Sequence, residues 1–157
     1  MILLLWLLFQ AATAPPPAAP TQPIPFSHKT HVGMKLKCKM CHANADPGET
    51  MGIAAATVCM QCHSSIKTDS PAIQKLASFA AQGRIIPWVR VYQIPGYVDF
   101  SHKTHLASGA TCETCHGQVE QRDALFRETN ISMGACMECH RQHKAPIDCT
   151  ACHEQKN

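Results

Sequence analysis

Apolar residues recur at helical spacing in only one segment of the chain. Ser70 and Pro71 provide the usual start of a helix there, and Gly83 provides its end. The apolar positions between them are Ile73, Leu76, Ala77 and Ala80. We therefore predict one helix in this segment. Short extended pieces are predicted over 85–98, where prolines and a glycine interrupt the apolar residues.

The longest unbroken apolar run is at residues 1–14, where eight large apolar residues follow Met1. This run has the length of the hydrophobic region of an export signal and is shorter than the roughly 20 residues that span a bilayer. We expect it to be a signal peptide or a membrane anchor. Residues 15–25 contain six prolines and are predicted to form a stiff, extended linker.

The remainder of the chain is poor in the residues that build a packed core. From Pro15 to Asn157, 23 of 143 residues are Leu, Ile, Val or Phe, which is below the roughly 20% expected of a self-packing chain. The charged fraction is nevertheless 16% and the net charge +3, so the self-repulsion of a disordered polyelectrolyte is missing. This composition does not fit a membrane bundle or a basic nucleic-acid binder. A cofactor is expected to fill the interior instead.

All ten cysteines fall into one motif, Cys-x-x-Cys-His, which occurs five times. Residues i, i+3 and i+4 share one face of a helix, so two thiols can bond to a macrocycle while the adjacent imidazole binds its iron. The motif is the attachment sequence of c-type haem, and five copies predict five covalently bound haem c groups. The thiol pairs are Cys38 and Cys41, Cys59 and Cys62, Cys112 and Cys115, Cys136 and Cys139, and Cys149 and Cys152, followed by His42, His63, His116, His140 and His153.

Two other uses of cysteine pairs compete with haem. A structural zinc ion is usually held by four ligands from two paired knuckles, and five knuckles would leave one without a partner. A secreted disulfide scaffold also accommodates ten cysteines, but it gives no role to the histidine that follows every second cysteine. Haem attachment is the interpretation that uses all three residues of each motif.

The other five histidines equal the number of second axial ligands that five haem irons need. Four of them lie in two identical hexapeptides, Phe-Ser-His-Lys-Thr-His, at 26–31 and 100–105. This internal duplication predicts two copies of one unit, 26–63 and 100–140, joined by an insert at 64–99 and followed by a fifth haem segment at 141–157. The predicted second ligands are His28, His31, His102, His105 and His143.

Methionine competes with His143 as the second ligand of one iron. Met133 lies three residues ahead of Cys136, and a thioether ligand in place of imidazole raises the reduction potential of a haem. Met133 has an alternative role in packing against a porphyrin face. His143 lies outside the duplicated units, so the sequence leaves both assignments open.

The insert at 64–99 also has two interpretations. It is either a scaffold that joins two haem clusters or, through Trp88, Tyr92 and Tyr97, a docking face for a partner. Its two arginines are candidates to pair with haem propionates in both cases.

The motifs carry a resemblance to a known family. A Phe-x-His-x-x-His element ahead of the first haem motif resembles the class III multihaem cytochromes c. The segment from Trp88 through Pro95 to His105, together with Ser132 to Cys136, is similar to the pentahaem subunits of the quinol-oxidising alternative complex III. The resemblance covers about residues 22–153.

This resemblance implies how the ligands are shared. The first histidine of each hexapeptide serves the nearest haem, which assigns His28 to the Cys38–Cys41 haem and His102 to the Cys112–Cys115 haem. The second histidine of each, His31 or His105, crosses to a different haem.

The sequence therefore predicts a mostly irregular fold with short α-helices, minimal β structure and a haem-filled core. We expect an exported electron carrier, periplasmic or otherwise extracytoplasmic, soluble or anchored to the inner membrane through its N-terminus. Its expected partners are redox proteins, among them a quinol-oxidising membrane complex, and no catalytic residues are assigned. The alternatives are a reductase subunit with one open-coordinate haem and a structural, filament-forming cytochrome.

Overall fold

The structure is a computed structural model that describes residues 17–43 and 51–153. The predicted signal or anchor at 1–14, the start of the linker and residues 154–157 lie outside the described residues. Within the described ranges the chain forms short helices joined by irregular segments, and no residue is in a strand. This confirms the predicted class of fold, with short helices and minimal β structure. None of the helices in these ranges has the length and apolar character needed to cross a bilayer.

The described α-helices are between 4 and 11 residues long. Isolated helices of this length are marginal in water, so contacts with other parts of the molecule must hold them. Two 3-10 turns, Val119–Gln121 and Cys149–Ala151, accompany them. The helices are α1 His28–Gly33, α2 Cys38–Cys41, α3 Ala56–His63, α4 Pro71–Ala81, α5 His102–Ala107, α6 Cys112–His116 and α7 Met133–His143.

The two hexapeptides adopt the same local structure. Ser27 caps α1 by accepting a hydrogen bond from the backbone N–H of Thr30 at 3.0 Å, and Ser101 caps α5 from Thr104 at 3.2 Å. Each cap satisfies one of the N–H groups that the first turn of a helix leaves without a partner. Both helices begin at the first histidine of the hexapeptide, so the duplication in sequence is a duplication in structure.

The second unit binds the start of α1 directly. The backbone N–H of Lys29, in the first turn of α1, donates to the carbonyl oxygen of Arg122 at 3.0 Å. The hydroxyl of Ser27 donates to Asp123 Oδ1 at 2.6 Å. These contacts satisfy polar groups of the helix start and fix the first unit against the second.

The predicted helix is confirmed as α4, which begins with Pro71 in its first turn. Its end is a Schellman motif, because the N–H of Gly83 donates to Ala80 and that of Arg84 to Phe79, with Gly83 at φ +60°. Phe79 is buried beside Leu76, although the predicted apolar positions did not include it.

A small apolar core forms where α4 packs on α3. Its buried residues are Ile24, Ala56, Leu76, Phe79 and Ile86. Ile24 is 4% exposed, although residues 15–25 are predicted to be a linker. The side-chain amide of Gln22 also bonds both backbone groups of Val89, at 2.8 and 2.9 Å. The packed part of the chain therefore begins ahead of the predicted boundary at Phe26.

We expect Leu76→Ala to lower the free energy of unfolding by about 2–4 kcal/mol, because it removes a buried side chain from a core that has few others. The matched control is Ile66→Ala, since Ile66 is 52% exposed and its truncation should change stability by less than about 0.5 kcal/mol. Denaturant unfolding of the holo-protein, followed by far-ultraviolet circular dichroism, measures both. Equal effects of the two substitutions would show that this core does not stabilise the fold.

Candidate haem sites

The five Cys-x-x-Cys-His motifs lie on short helical segments. The first four motifs lie on α2, α3, α6 and α7, and the fifth begins in the 3-10 turn Cys149–Ala151. One helical turn brings the two thiols of a motif to the same side, as attachment to one macrocycle requires. None of the ten cysteines forms a disulfide.

Four of the motif histidines face a second histidine across a gap of nearly constant width. The distances between ring centroids are 6.0–6.5 Å in all four pairs. Each pair combines one motif histidine with one histidine of a hexapeptide. The pairs are His42 with His28, His63 with His31, His116 with His102, and His140 with His105.

This gap fits a metal ion bound between two imidazoles. Histidine nitrogens bind first-row metals at about 2.0 Å, and adding the radius of each ring places the two centroids roughly 6.3 Å apart. The four observed separations, 6.0–6.5 Å, bracket this value. The residues present therefore fit an iron porphyrin in each of the four gaps.

In five of the eight paired rings, and in His153, Nδ1 forms a hydrogen bond with a backbone carbonyl. When Nδ1–H donates to a backbone carbonyl, Nε2 carries no proton and is free to bind a metal. The carbonyl partners are those of Ser27 for His31 (2.7 Å), Ser101 for His105 (2.8 Å), Gly52 for His42 (2.8 Å), Ile66 for His63 (3.0 Å), Pro146 for His140 (2.5 Å) and Tyr97 for His153 (3.1 Å).

Burial favours the neutral form of the imidazole in two of the pairs. It lowers the pKa of His28 to about 4, with smaller contributions from His42 and His31. Burial also lowers the pKa of His116, again with neighbouring histidines as the lesser cause. The neutral imidazole is the form that binds a metal, so these rings are held ready for ligation near neutral pH.

An aromatic ring supports each hexapeptide histidine pair. Phe26 stacks on His31 at 4.3 Å and meets His28 edge-on at 4.8 Å. Phe100 repeats this arrangement, with its ring 4.5 Å from that of His105 and 4.8 Å from that of His102. No role is predicted for these phenylalanines from the sequence, although each stands two residues ahead of the first histidine of its pair.

The fifth motif has different surroundings. The ring beside His153 is that of Tyr97, with centroids 5.9 Å apart and planes 28° from parallel. His143 is the last residue of α7 and is exposed, and Met133 at the start of the same helix is 65% exposed. The structure thus gives neither predicted second ligand a contact with His153 among the described residues.

The histidine pairs establish which motifs are neighbours. His28 and His31 both lie on α1 and face the first and second motifs, so α1 stands between those two motifs. The helix α5 has the same place between the third and fourth motifs. A cleft lined by residues of both motifs, Cys115 and Cys136 among them, also joins the third to the fourth.

Cysteines of different motifs also lie near one another and link the motifs into one row. Burial raises the pKa of the Cys112 thiol, and the next contribution comes from Cys38, which lies within hydrogen-bond reach. Burial, followed by the neighbouring Cys152, likewise raises the pKa of Cys136. In space the motifs therefore follow the order second, first, third, fourth, fifth, which differs from their order along the chain.

Tyr92 of the insert holds the third motif in place. Its hydroxyl donates to the carbonyl oxygen of His116 at 3.1 Å and accepts from the N–H groups of Glu128 and Thr129 at 2.9 and 3.3 Å. Its ring meets the His116 ring edge-on at 4.7 Å. Glu128 is in turn bound by both nitrogens of the Arg122 fork, at 2.6 and 2.9 Å. Of the two interpretations of the insert, the contacts of Tyr92 favour the scaffold over the docking face.

We expect Tyr92→Phe to lower the free energy of unfolding by about 1–3 kcal/mol, because it leaves two N–H groups and one carbonyl without their partner. Tyr97→Phe is the matched control. Tyr97 is 74% exposed, so loss of its hydroxyl should change stability by less than about 0.5 kcal/mol. Thermal unfolding of the holo-protein compares the two, and an unaffected Tyr92→Phe variant would contradict the assigned role.

Comparisons with known proteins agree with this geometry. A model of the class III cytochrome c family matches residues 9–82, and a model of cytochrome c7 and related cytochrome c matches residues 98–157. One relative is the menaquinone reductase multiheme cytochrome c subunit of Nitratidesulfovibrio vulgaris. It is 30% identical over 142 residues, an alignment that covers 76% of this chain and 67% of the relative. These matches confirm the predicted resemblance. The chain belongs to the class III multihaem cytochromes c, electron-transfer proteins that bind haem c covalently.

Proposed function

We propose that this chain is a pentahaem electron carrier whose haems form one continuous row. The observation that carries the proposal is the set of four imidazole pairs, each separated by the distance that an iron between them requires. When bound, each haem supplies one-electron oxidation and reduction. The chain's own residues hold the macrocycles through thioether bonds and cap the irons through imidazoles.

Each ligand pair also brings neighbouring haems together. A single helix, α1 or α5, supplies the second ligands of two haems, so those haems lie within the reach of one short helix. A compact chain of this length has a radius of gyration of roughly 15 Å, which leaves little room between five haems. We propose that electrons move along the row in the order second, first, third, fourth and fifth motif, and that the second and fifth haems are the terminal ones.

We propose that the protein functions outside the cytoplasm, beside a membrane enzyme. The apolar run at 1–14 supports export or anchoring. The relative from Nitratidesulfovibrio is named as a subunit of a menaquinone reductase, and the sequence resemblance implied a quinol-oxidising complex. Both involve electron exchange with a quinone, so we propose that a quinone-linked membrane oxidoreductase is the partner of this chain.

The fifth haem distinguishes the carrier from a second candidate function. In the carrier, His143 is the second ligand of the iron bound by His153, and every iron is capped. The position of Tyr97 beside His153, with His143 exposed, favours a second candidate in which this iron keeps an open position and reduces a small molecule. Met133 is the other candidate ligand of this iron.

The number of haems is tested by intact mass measurement of the exported protein. We expect the polypeptide plus five haem groups, because every cysteine pair is followed by its histidine. The control is the double substitution Cys149→Ala and Cys152→Ala, which should remove one haem and leave four. A bare polypeptide, or one that carries zinc, would refute the proposal.

The ligands are tested by the spin state of the ferric protein. We expect a wholly low-spin protein, in which His31→Ala and His143→Ala each convert about one fifth of the iron to high spin by removing one axial ligand. Lys144→Ala, next to His143 in the chain, should leave the spectrum unchanged. A wild-type high-spin component that binds cyanide, unaltered by His143→Ala, would instead establish the open haem of the second candidate.

A further inference from the structure

One surface of the insert combines exposed apolar side chains with positive charge. We call it the insert face and define it by Ile53, Arg84, Ile85, Val89 and Arg90. Ile85 is 90% exposed, and Ile53 and Val89 are each close to half exposed. A cleft of about 630 Å³ opens on this face, and the two arginines are the charged residues that line it.

In the described part of the chain, no carboxylate pairs with the arginines of the insert face. Arg84 lies over the ring of Phe79 at 5.4 Å and donates to Gln82 Oε1 at 3.3 Å. Among the described residues neither Arg84 nor Arg90 forms an ion pair with a carboxylate. Along the chain from 51 to 98 there are four basic residues and a single acidic one, whereas 99–157 holds eight acidic and six basic residues. An anionic partner therefore matches this side of the molecule.

The chain enters the fold on the same side. The Gln22 amide binds Val89 of the insert face, and Ile24 packs with Ile86 directly beneath it. The apolar run at 1–14 ends only eight residues before Gln22. At about 3.1 Å per residue in a proline-rich segment, those residues reach roughly 25 Å. Whatever the apolar run engages is therefore within short reach of this face.

We infer that the insert face rests on the surface of an anionic phospholipid bilayer. The segment Arg84-Ile-Ile-Pro-Trp-Val-Arg90 presents the exposed side chains of Ile85 and Val89 for the acyl region and two exposed arginines for the lipid phosphates. Ile85 inserts, and Arg84 and Arg90 pair with headgroups on either side of it. This contact belongs to the folded domain and is separate from any anchor at 1–14.

The contact also orients the haem row, and this consequence rests on the proposed function. The cleft of the insert face is lined by Ala56 and Thr57 of α3, the helix that carries the second motif, and that motif is one end of the row. The bilayer therefore lies beside the second haem, whereas Ile147 and the fifth motif lie at the other end.

The experiment measures backbone amide exchange of the holo-protein in solution and on vesicles. The vesicles contain phosphatidylcholine, either alone or mixed with phosphatidylglycerol. We expect peptides covering 84–91 to exchange at least about tenfold more slowly on the anionic vesicles, because burial of Ile85 and two arginine–phosphate contacts must be lost for each opening. Exchange of the 84–91 amides reports on the insert face itself, even if the apolar run at 1–14 binds the protein to the vesicle.

Two matched variants decide the outcome. Ile85→Asp should abolish the protection of 84–91, whereas Ile147→Asp should preserve it, since Ile147 is 45% exposed and both substitutions add the same charge. Their haem absorbance shows that both are folded, and it tests the proposed function separately. Equal exchange of 84–91 in solution and on anionic vesicles would overturn the inference. Protection by purified membrane subunits but not by lipid would overturn it in favour of a protein interface.

Discussion

The fixed separation of the paired imidazoles is the constraint on which the rest of this molecule depends. The described apolar core consists of five buried residues, and helices of 4 to 11 residues do not hold themselves together in water. All of the described α-helices except α4 carry, or are directly followed by, a histidine ring about 6 Å from another histidine ring. Hydrogen bonds from Nδ1 to backbone carbonyls fix the orientation of most of these rings. The folded chain is in this sense a set of ligands held at the correct distances.

The duplication follows from the same constraint. Two histidines three residues apart on one short helix face two different motifs, so one hexapeptide joins two motifs. Two copies of this unit give two pairs of motifs. Cys38 and Cys112, which occupy equivalent positions in the two copies, lie close together and join the pairs. The fifth motif extends one end only. A symmetric arrangement of four motifs thus becomes a row of five motifs with two different ends.

The parts that the sequence predicted are those with a local chemical signal. The haem motifs, the hexapeptides and the α4 helix can each be identified within a short window of residues. Tyr92 and Ile24 could not be assigned in this way, because their partners lie far along the chain: the Tyr92 hydroxyl binds His116 and Glu128, and Ile24 packs against the insert. Nor does the spacing of His28 and His31 say which motif each one faces. Only the resemblance to class III cytochromes implied that crossing.

The insert shows what the few Leu, Ile, Val and Phe residues of this chain do away from the haem motifs. Its helix α4 and Ile86 supply most of the buried core, and its Tyr92 binds the backbone of the third motif. It therefore contacts the second and third motifs, and through Tyr97 it also contacts the fifth. Within this one segment Leu76 and Phe79 are buried, whereas Ile85, between two arginines, is 90% exposed. Similar side chains thus have opposite surroundings, so the insert contributes to the interior of the fold and also forms part of its surface.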